Sequence, residues 1–224
     1  MLDGFIYILS TSNIIRRPRP TPWLINNNIQ KHLSLKSVFY FEASMSSPVF
    51  VNMFSFNLGD PYARQSNMIS LIIENAHQIY MSEKSIYLTF TRYLNRSRST
   101  VIHKVFVQDG YMIPFADGVV SGSVNNQFSM DEHAGVLRIA TTEGFSDSNN
   151  VFCLDHMLEI VGELRGIAPN ERIFSARYVD TRLYMVTFRQ IDPFFVINLT
   201  DHTQPEVLGE LKITGFSRYL HPYD

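Results

Sequence analysis

Three consecutive residues, Asp131, Glu132 and His133, place two carboxylates and an imidazole side by side. That set could act as a general acid and base, or as oxygen and nitrogen ligands for a metal ion. A polar turn between two strands uses the same residue types, and a lone D-E-H run specifies no coordination geometry. Arg177, Arg189 and His221, the last followed by Asp224, are further side chains able to meet a ligand, and each could equally hold its donors in structural hydrogen bonds. Asp147-Ser148-Asn149-Asn150 offers oxygens that calcium accepts, but without the glycine and distal glutamate of an EF-hand loop it reads as a solvated turn. Cys153, between Phe152 and Leu154, reads as a small buried hydrophobe rather than a nucleophile, since no histidine is placed by sequence to activate it. The chain has no G-x-S-x-G elbow, P-loop or G-x-G-x-x-G run. The reading therefore assigns no catalytic residue, no cofactor and no metal.

Composition narrows the partners. The 19 basic and 21 acidic residues give a formal charge of -2, which leaves no electrostatic footprint for nucleic acid or an anionic membrane. A single cysteine excludes an intrachain disulfide and a cysteine-based zinc site. The apolar run Phe5 to Leu9 is too short to span a membrane as a helix and has no basic flank or cleavage pattern, so neither membrane insertion nor a signal peptide is expected from this chain. The 17 Phe and 11 Tyr could stack on carbohydrate, but their alternation within strands makes core filling the main reading. Asn95-Arg96-Ser97 and Asn198-Leu199-Thr200 match the glycan acceptor pattern, the second inside an expected strand.

Short β-branched and aromatic runs, separated by Asp, Asn, Gly, Ser and Pro, position these residues and predict an all-β fold. His156 to Leu164, the most helix-like piece, contains Gly162 and β-favouring Ile160-Val161, so no helix is assigned. Glu159-Ile160-Val161-Gly162-Glu163-Leu164 recurs as Glu206-Val207-Leu208-Gly209-Glu210-Leu211, a period of 47 residues that suits one propeller blade. Ahead of the two copies lie Val151 to Leu154 and Phe195 to Leu199, then Val136 to Ala140 and Leu183 to Phe188, then Phe128 to Met130 and Phe174 to Val179, each of the last pair before an acidic turn at Asp131 or Asp180. An earlier unit has the same order at Ile79 to Met81, Ile86 to Phe90, Val101 to Val107 and Tyr111 to Phe115. At the amino end Phe5 to Leu9, Phe50 to Leu58 and Met68 to Ile73 serve as second, third and fourth strands, with Ile14 to Lys36 as a long surface insertion. Phe216 to His221 reads as a first strand without its second, so about four blade equivalents of four antiparallel strands are expected in one domain over 1–224, as a partial propeller able to self-associate through unpaired terminal strands. First strands line a propeller's channel, where Arg177 and His221 could face a ligand.

Asn126-Gln127-Phe128-Ser129-Met130-Asp131-Glu132, Leu137-Arg138-Ile139-Ala140-Thr141-Thr142, Tyr184-Met185-Val186-Thr187-Phe188-Arg189-Gln190 with Asp192-Pro193, Val207 to Ile213 and Tyr219 to Asp224 together resemble secreted archaeal and bacterial proteins with a carboxy-terminal β-propeller domain, distantly related to WD-type repeats. The resemblance is strongest over Ile79 to Asp224. It implies export to the cell surface or beyond, a propeller, and a fragment of a longer protein, since members run on past His-Pro-Tyr-Asp; it carries no reaction or catalytic residue. The leading functional expectation is a non-catalytic extracytoplasmic module binding a protein or surface polymer through loops on one face. The alternatives are a hydrolase in the propeller mouth using Asp131 and Glu132, and a purely structural module of the cell envelope.

Overall fold

A computed structural model describes residues 4–14, 23–26, 29–41, 47–60, 65–94, 97–144, 148–188, 192–213 and 220–221. Among them there is no α-helix, and the chain is all-β. In chain order come β1 (Phe5–Asn13), β2 (Trp23–Asn26), β3 (Ile29–His32), β4 (Val38–Tyr40), β5 (Pro48–Asn57) and β6 (Gln65–Glu74). In the first sheet β1, β5 and β6 pair antiparallel in that order, and β4 joins the far edge of β6 in parallel. The expected second, third and fourth strands are thus in place. The fourth member is a short strand that follows the stretch read as an insertion, inside which β2 and β3 form a hairpin of their own.

The next three sheets are simple meanders, and together with the first they make the four blades of the expected repeat. The second holds β7 (Gln78–Met81), β8 (Ser85–Leu94), β9 (Ser97–Gln108) and β10 (Tyr111–Ser121). The third holds β11 (Met130–His133), β12 (Val136–Thr142), β13 (Asn149–Leu154) and β14 (Ile160–Ile167), and the fourth holds β15 (Arg172–Val179), β16 (Arg182–Phe188), β17 (Asp192–Asn198) and β18 (Glu206–Ile213). Two local expectations need correction. Phe128-Ser129 forms a 3-10 turn rather than opening a strand, because the Asn126 side chain accepts from the Phe128 N–H at 2.9 Å and caps it. Strand β11 then runs through Asp131, Glu132 and His133, and the turn falls on Ala134 and Gly135, at φ 51° and 79°. A two-residue hairpin turn that matches strand twist needs two positive φ values, which the preceding acidic residues are not asked to supply. The first strand expected at Phe216 to His221 falls largely outside the described residues.

Tertiary contacts divide the chain into two compact units, Met1–His77 with Glu83–Ile86 and Lys104–Phe115, and Gln78–Ser82 with Tyr87–His103 and Ala116–Asp224. In the first, the Phe5 ring lies so close over Gly110 that a Cβ there would be 2.4 Å from it, and the Ser55 hydroxyl donates to the Gly110 carbonyl. In the second unit two apolar layers form. Tyr87, Ile102, Ala116 and Val120 meet Leu137, Ile139, Phe152 and Leu154 of the third sheet, whose other face, Ala140, Val151 and Cys153, meets Ile173, Leu183, Met185, Phe195 and Ile197 of the fourth. Strand β13 is therefore buried on both faces, which explains its unbroken apolar run from Val151 to Leu154. Each large side chain so buried contributes about 1.5–3 kcal/mol.

His103 on β9 is packed beside the Phe90 ring, with centroids 5.8 Å apart, and is 1% exposed. Burial lowers its pKa to about 4 against a smaller upward pull from Asp117. The unfolded chain binds this proton below its ordinary pKa near 6.5 while the folded chain refuses it, so stability is full above pH ~6.5 and falls until pH ~4. The loss due to this residue is expected to be roughly 3 kcal/mol. Urea unfolding at pH 7 and pH 4.5 should show His103→Gln losing markedly less stability between the two than the unchanged chain.

Candidate functional site

Asp131 and Glu132 are adjacent on β11, so their side chains leave on opposite faces of the third sheet. Asp131 stands directly across from Arg138 on β12 and faces it, as opposed pairs on an antiparallel ladder do. Arg138 is 1% exposed. Its Nε donates to Asp131 Oδ2 at 3.0 Å, a terminal nitrogen donates to the same oxygen, and the other donates to the Asp180 carbonyl at 2.6 Å. The guanidinium also sits 5.2 Å from the centre of the Tyr178 ring, whose hydroxyl is held protonated far up the scale by burial.

Glu132 faces the second sheet. Its Oε2 accepts from the Ser82 hydroxyl at 2.5 Å and the Tyr87 hydroxyl at 2.9 Å, while its own N–H donates to the Tyr80 oxygen at 2.9 Å. Tyr80 and Tyr87 stack at 5.9 Å, and burial raises the Tyr80 pKa, so it stays neutral. The two carboxylates are thus bonded into two different sheet interfaces. A hydrolytic pair must flank one scissile bond, which residues on opposite faces of a sheet cannot do.

His133 packs edge-on against His202, with centroids 6.0 Å apart. His202 lies in the β17–β18 connection, and burial first, then Arg138 and His133, lower its pKa. The sequence reading missed His202, although Asp155-His156 and Asp201-His202 recur ahead of the two copies of the repeat. Arg177 does not join this group: its guanidinium lies 5.1 Å over the Phe128 ring. His221 is exposed, while Arg189, Asp147 and Asp224 lie outside the described residues. Among the described residues no three His, Cys, Asp or Glu side chains are grouped to hold a metal. Cys153 is fully buried in the layer between the third and fourth sheets, and burial pushes its pKa up to about 11, so the thiol is a packing group. The Asn198 side chain is occupied within its own turn, accepting from the Thr200 N–H at 3.2 Å.

A second cluster lies where the second strands pass to the third. The Gly122 N–H donates to the Arg98 carbonyl at 2.8 Å, Ser123 bridges to Thr142, and the Thr142 hydroxyl accepts from the Ile173 N–H at 3.1 Å. Those bonds bring the β8–β9 and β12–β13 connections and the start of β15 to one face, as blade equivalence requires. Glu143 accepts from Ser121 at 3.1 Å and Asn150 at 3.0 Å and lies 3.9 Å from Arg165. Arg98 instead lies 5.7 Å from the centre of the Tyr93 ring, with its stem against Gly144, where a Cβ would come within 2.6 Å of Arg98 Nε. Tyr93 is 69% exposed, and neither Arg92 nor Arg98 meets a carboxylate among the described residues.

The model of the Beta propeller domain family matches residues 9–224. An uncharacterised protein of Methanocaldococcus jannaschii is 48% identical over 110 residues, and one of Archaeoglobus fulgidus is 48% identical over 105 residues. Each alignment covers 47% of this chain but only 18% and 17% of the respective relative, so the matched part is less than a fifth of those proteins.

Removing Asp131 would leave the Arg138 guanidinium buried without its counter-charge. Asp131→Ala is expected to cost about 3 kcal/mol, and Asp131→Ala with Arg138→Met less than the sum of the single changes. Denaturant unfolding of the four proteins measures both; additive single costs would remove the ion pair from the account.

Proposed function

The chain belongs to the β-propeller domain family, and from that premise we propose that it is a non-catalytic module that acts outside the cytoplasm and binds a protein or surface polymer. The observation that carries the reading is the divergence of Asp131 and Glu132. Asp131 Oδ2 is committed to Arg138 and Glu132 Oε2 to Ser82 and Tyr87, on opposite faces of one sheet. What the molecule leaves open to a partner lies at the β8–β9 connection, where Arg98 is held against an exposed tyrosine. Arginine forks suit carboxylate, sulfate and phosphate groups, and a tyrosine adds an apolar face with a polar tip. Location outside the cytoplasm comes from the resemblance of the repeat segments to exported proteins.

The purified chain should release no product from glycan, peptide and ester substrates, and should be retained on immobilised cell-envelope material. Tyr93→Ala and Arg98→Ala should each weaken retention about tenfold, the loss expected of one charge-assisted contact. Turnover abolished by Asp131→Asn or Glu132→Gln, with thermal melting unchanged, would replace this reading with the hydrolase.

A further inference from the structure

His202 Nε2 is buried and has no hydrogen-bond partner among the described residues. The residue belongs to the β17–β18 connection of the fourth sheet, and that connection rests on the third. A Cβ added to Gly162 would lie 2.1 Å from the His202 carbonyl oxygen and 2.8 Å from the Thr203 Cα. Gly162 stands across from Cys153 on β13, and Cys153 across from Arg138 on β12, so the connection covers one end of a row whose other members are 0% and 1% exposed. The imidazole packs edge-on against His133, ring centroids 6.0 Å apart.

The charges around His202 are one-sided. Arg138 on β12 and His133 on β11 both disfavour a proton on it, while Asp201 in its own connection pulls weakly the other way. Asp201 is exposed and already accepts from the Thr203 N–H at 2.9 Å and hydroxyl at 2.6 Å. Asp131, the counter-ion of Arg138, is engaged by two guanidinium nitrogens. Tyr178 beside the guanidinium and Cys153 across the ladder from it are held neutral by burial. A proton on His202 therefore adds a second cation near Arg138.

We propose that His202 is a pH-dependent latch: neutral, it lets the β17–β18 connection lie on the third sheet, and protonated, it lifts that connection from Gly162 while both sheets stay folded. A released imidazole takes its proton at the ordinary value near 6.5, whereas the seated one resists it, through burial first and then through Arg138 and His133. Seating is thus complete above pH ~6.5 and weakens as the pH falls below it. The apolar layer of Ala140, Val151, Leu183, Met185 and Ile197 holds the two sheets together independently of the connection. His156, the corresponding histidine of the preceding repeat, is 70% exposed and 4.0 Å from the Asp155 carboxylate, and serves as an internal control.

Lifting the connection uncovers the row at Cys153, the chain's single cysteine, and makes its thiol the reporter. Labelling of the full chain by 4,4′-dithiodipyridine, a disulfide that stays reactive in acid, is followed at pH 7.5 and pH 5, each rate divided by that of free cysteine at the same pH. The relative rate should rise several-fold at pH 5. His202→Gln should label slowly at both values, while His156→Gln and His103→Gln should keep the rise, the second because it separates the latch from acid loss of global stability. In the unchanged chain the midpoint of the rise should coincide with the titration of the His202 ring followed by NMR, a comparison that stands whether or not His202→Gln folds. An equal relative rate at both pH values, a rise that persists in His202→Gln or vanishes in His103→Gln, or a midpoint apart from the ring titration would overturn the proposal.

Discussion

A guanidinium sealed from water has to find its hydrogen bonds within the protein, and the arrangement of the three later sheets follows from how Arg138 does so. It takes a carboxylate from its own sheet, a carbonyl from the turn of the next, and the face of a tyrosine two residues before that carbonyl. A point charge could not serve all three, whereas the planar fork with its ring-stacking face can. Because Asp131 is committed on one face, the next residue, Glu132, necessarily points to the other, where three hydroxyl groups of the second sheet surround it. One short strand thereby fixes the registers of the sheets on either side of it. The apolar layers provide most of the attraction, but apolar surfaces slide; polar groups that must each meet one partner decide where the sliding stops.

The same economy explains why acid-base chemistry is a poor use of these residues. A general acid or base needs a free oxygen and access to water or substrate, and its pKa is tuned by partial, not complete, satisfaction. Here the carboxylates are met by neutral hydroxyls or by a fixed cation. Tyr80, whose oxygen accepts the Glu132 N–H, and Tyr178, beneath the guanidinium, are themselves pushed further from ionisation by burial. At the β8–β9 connection cation and aromatic are held together with no carboxylate among the described residues paired to Arg98, an arrangement open to an incoming anion.

Much of this fold was legible because its repeat is written in letters. Glu159 to Leu164 and its copy became β14 and β18, and the apolar runs ahead of them became the strands expected. Errors arose where a local preference competed with a pattern. Phe128-Ser129 has strand-like residues but follows Asn126, whose side chain turns the backbone, and Asp131 to His133 look like a turn but continue a ladder whose turn is made by Ala134-Gly135. The partners of Glu132 were invisible for a different reason. Tyr80, Ser82 and Tyr87 lie 45 to 52 residues away in sequence, and no periodicity encodes a contact between sheets.

The glycine shared by both copies of the repeat shows how far letters alone can be read. As a sequence, Gly162 and Gly209 mean the same thing: a position in an outer strand without a side chain, which weakens a strand and marks a bulge or close backbone approach. In the structure only Gly162 has that approach, since the connection of the next sheet descends onto it. At Gly209 the repeat keeps the residue where no described neighbour requires it. The letter therefore records the contact for which the unit is built, and the leucine two positions on tells the same story, packed at Leu164 and exposed at Leu211.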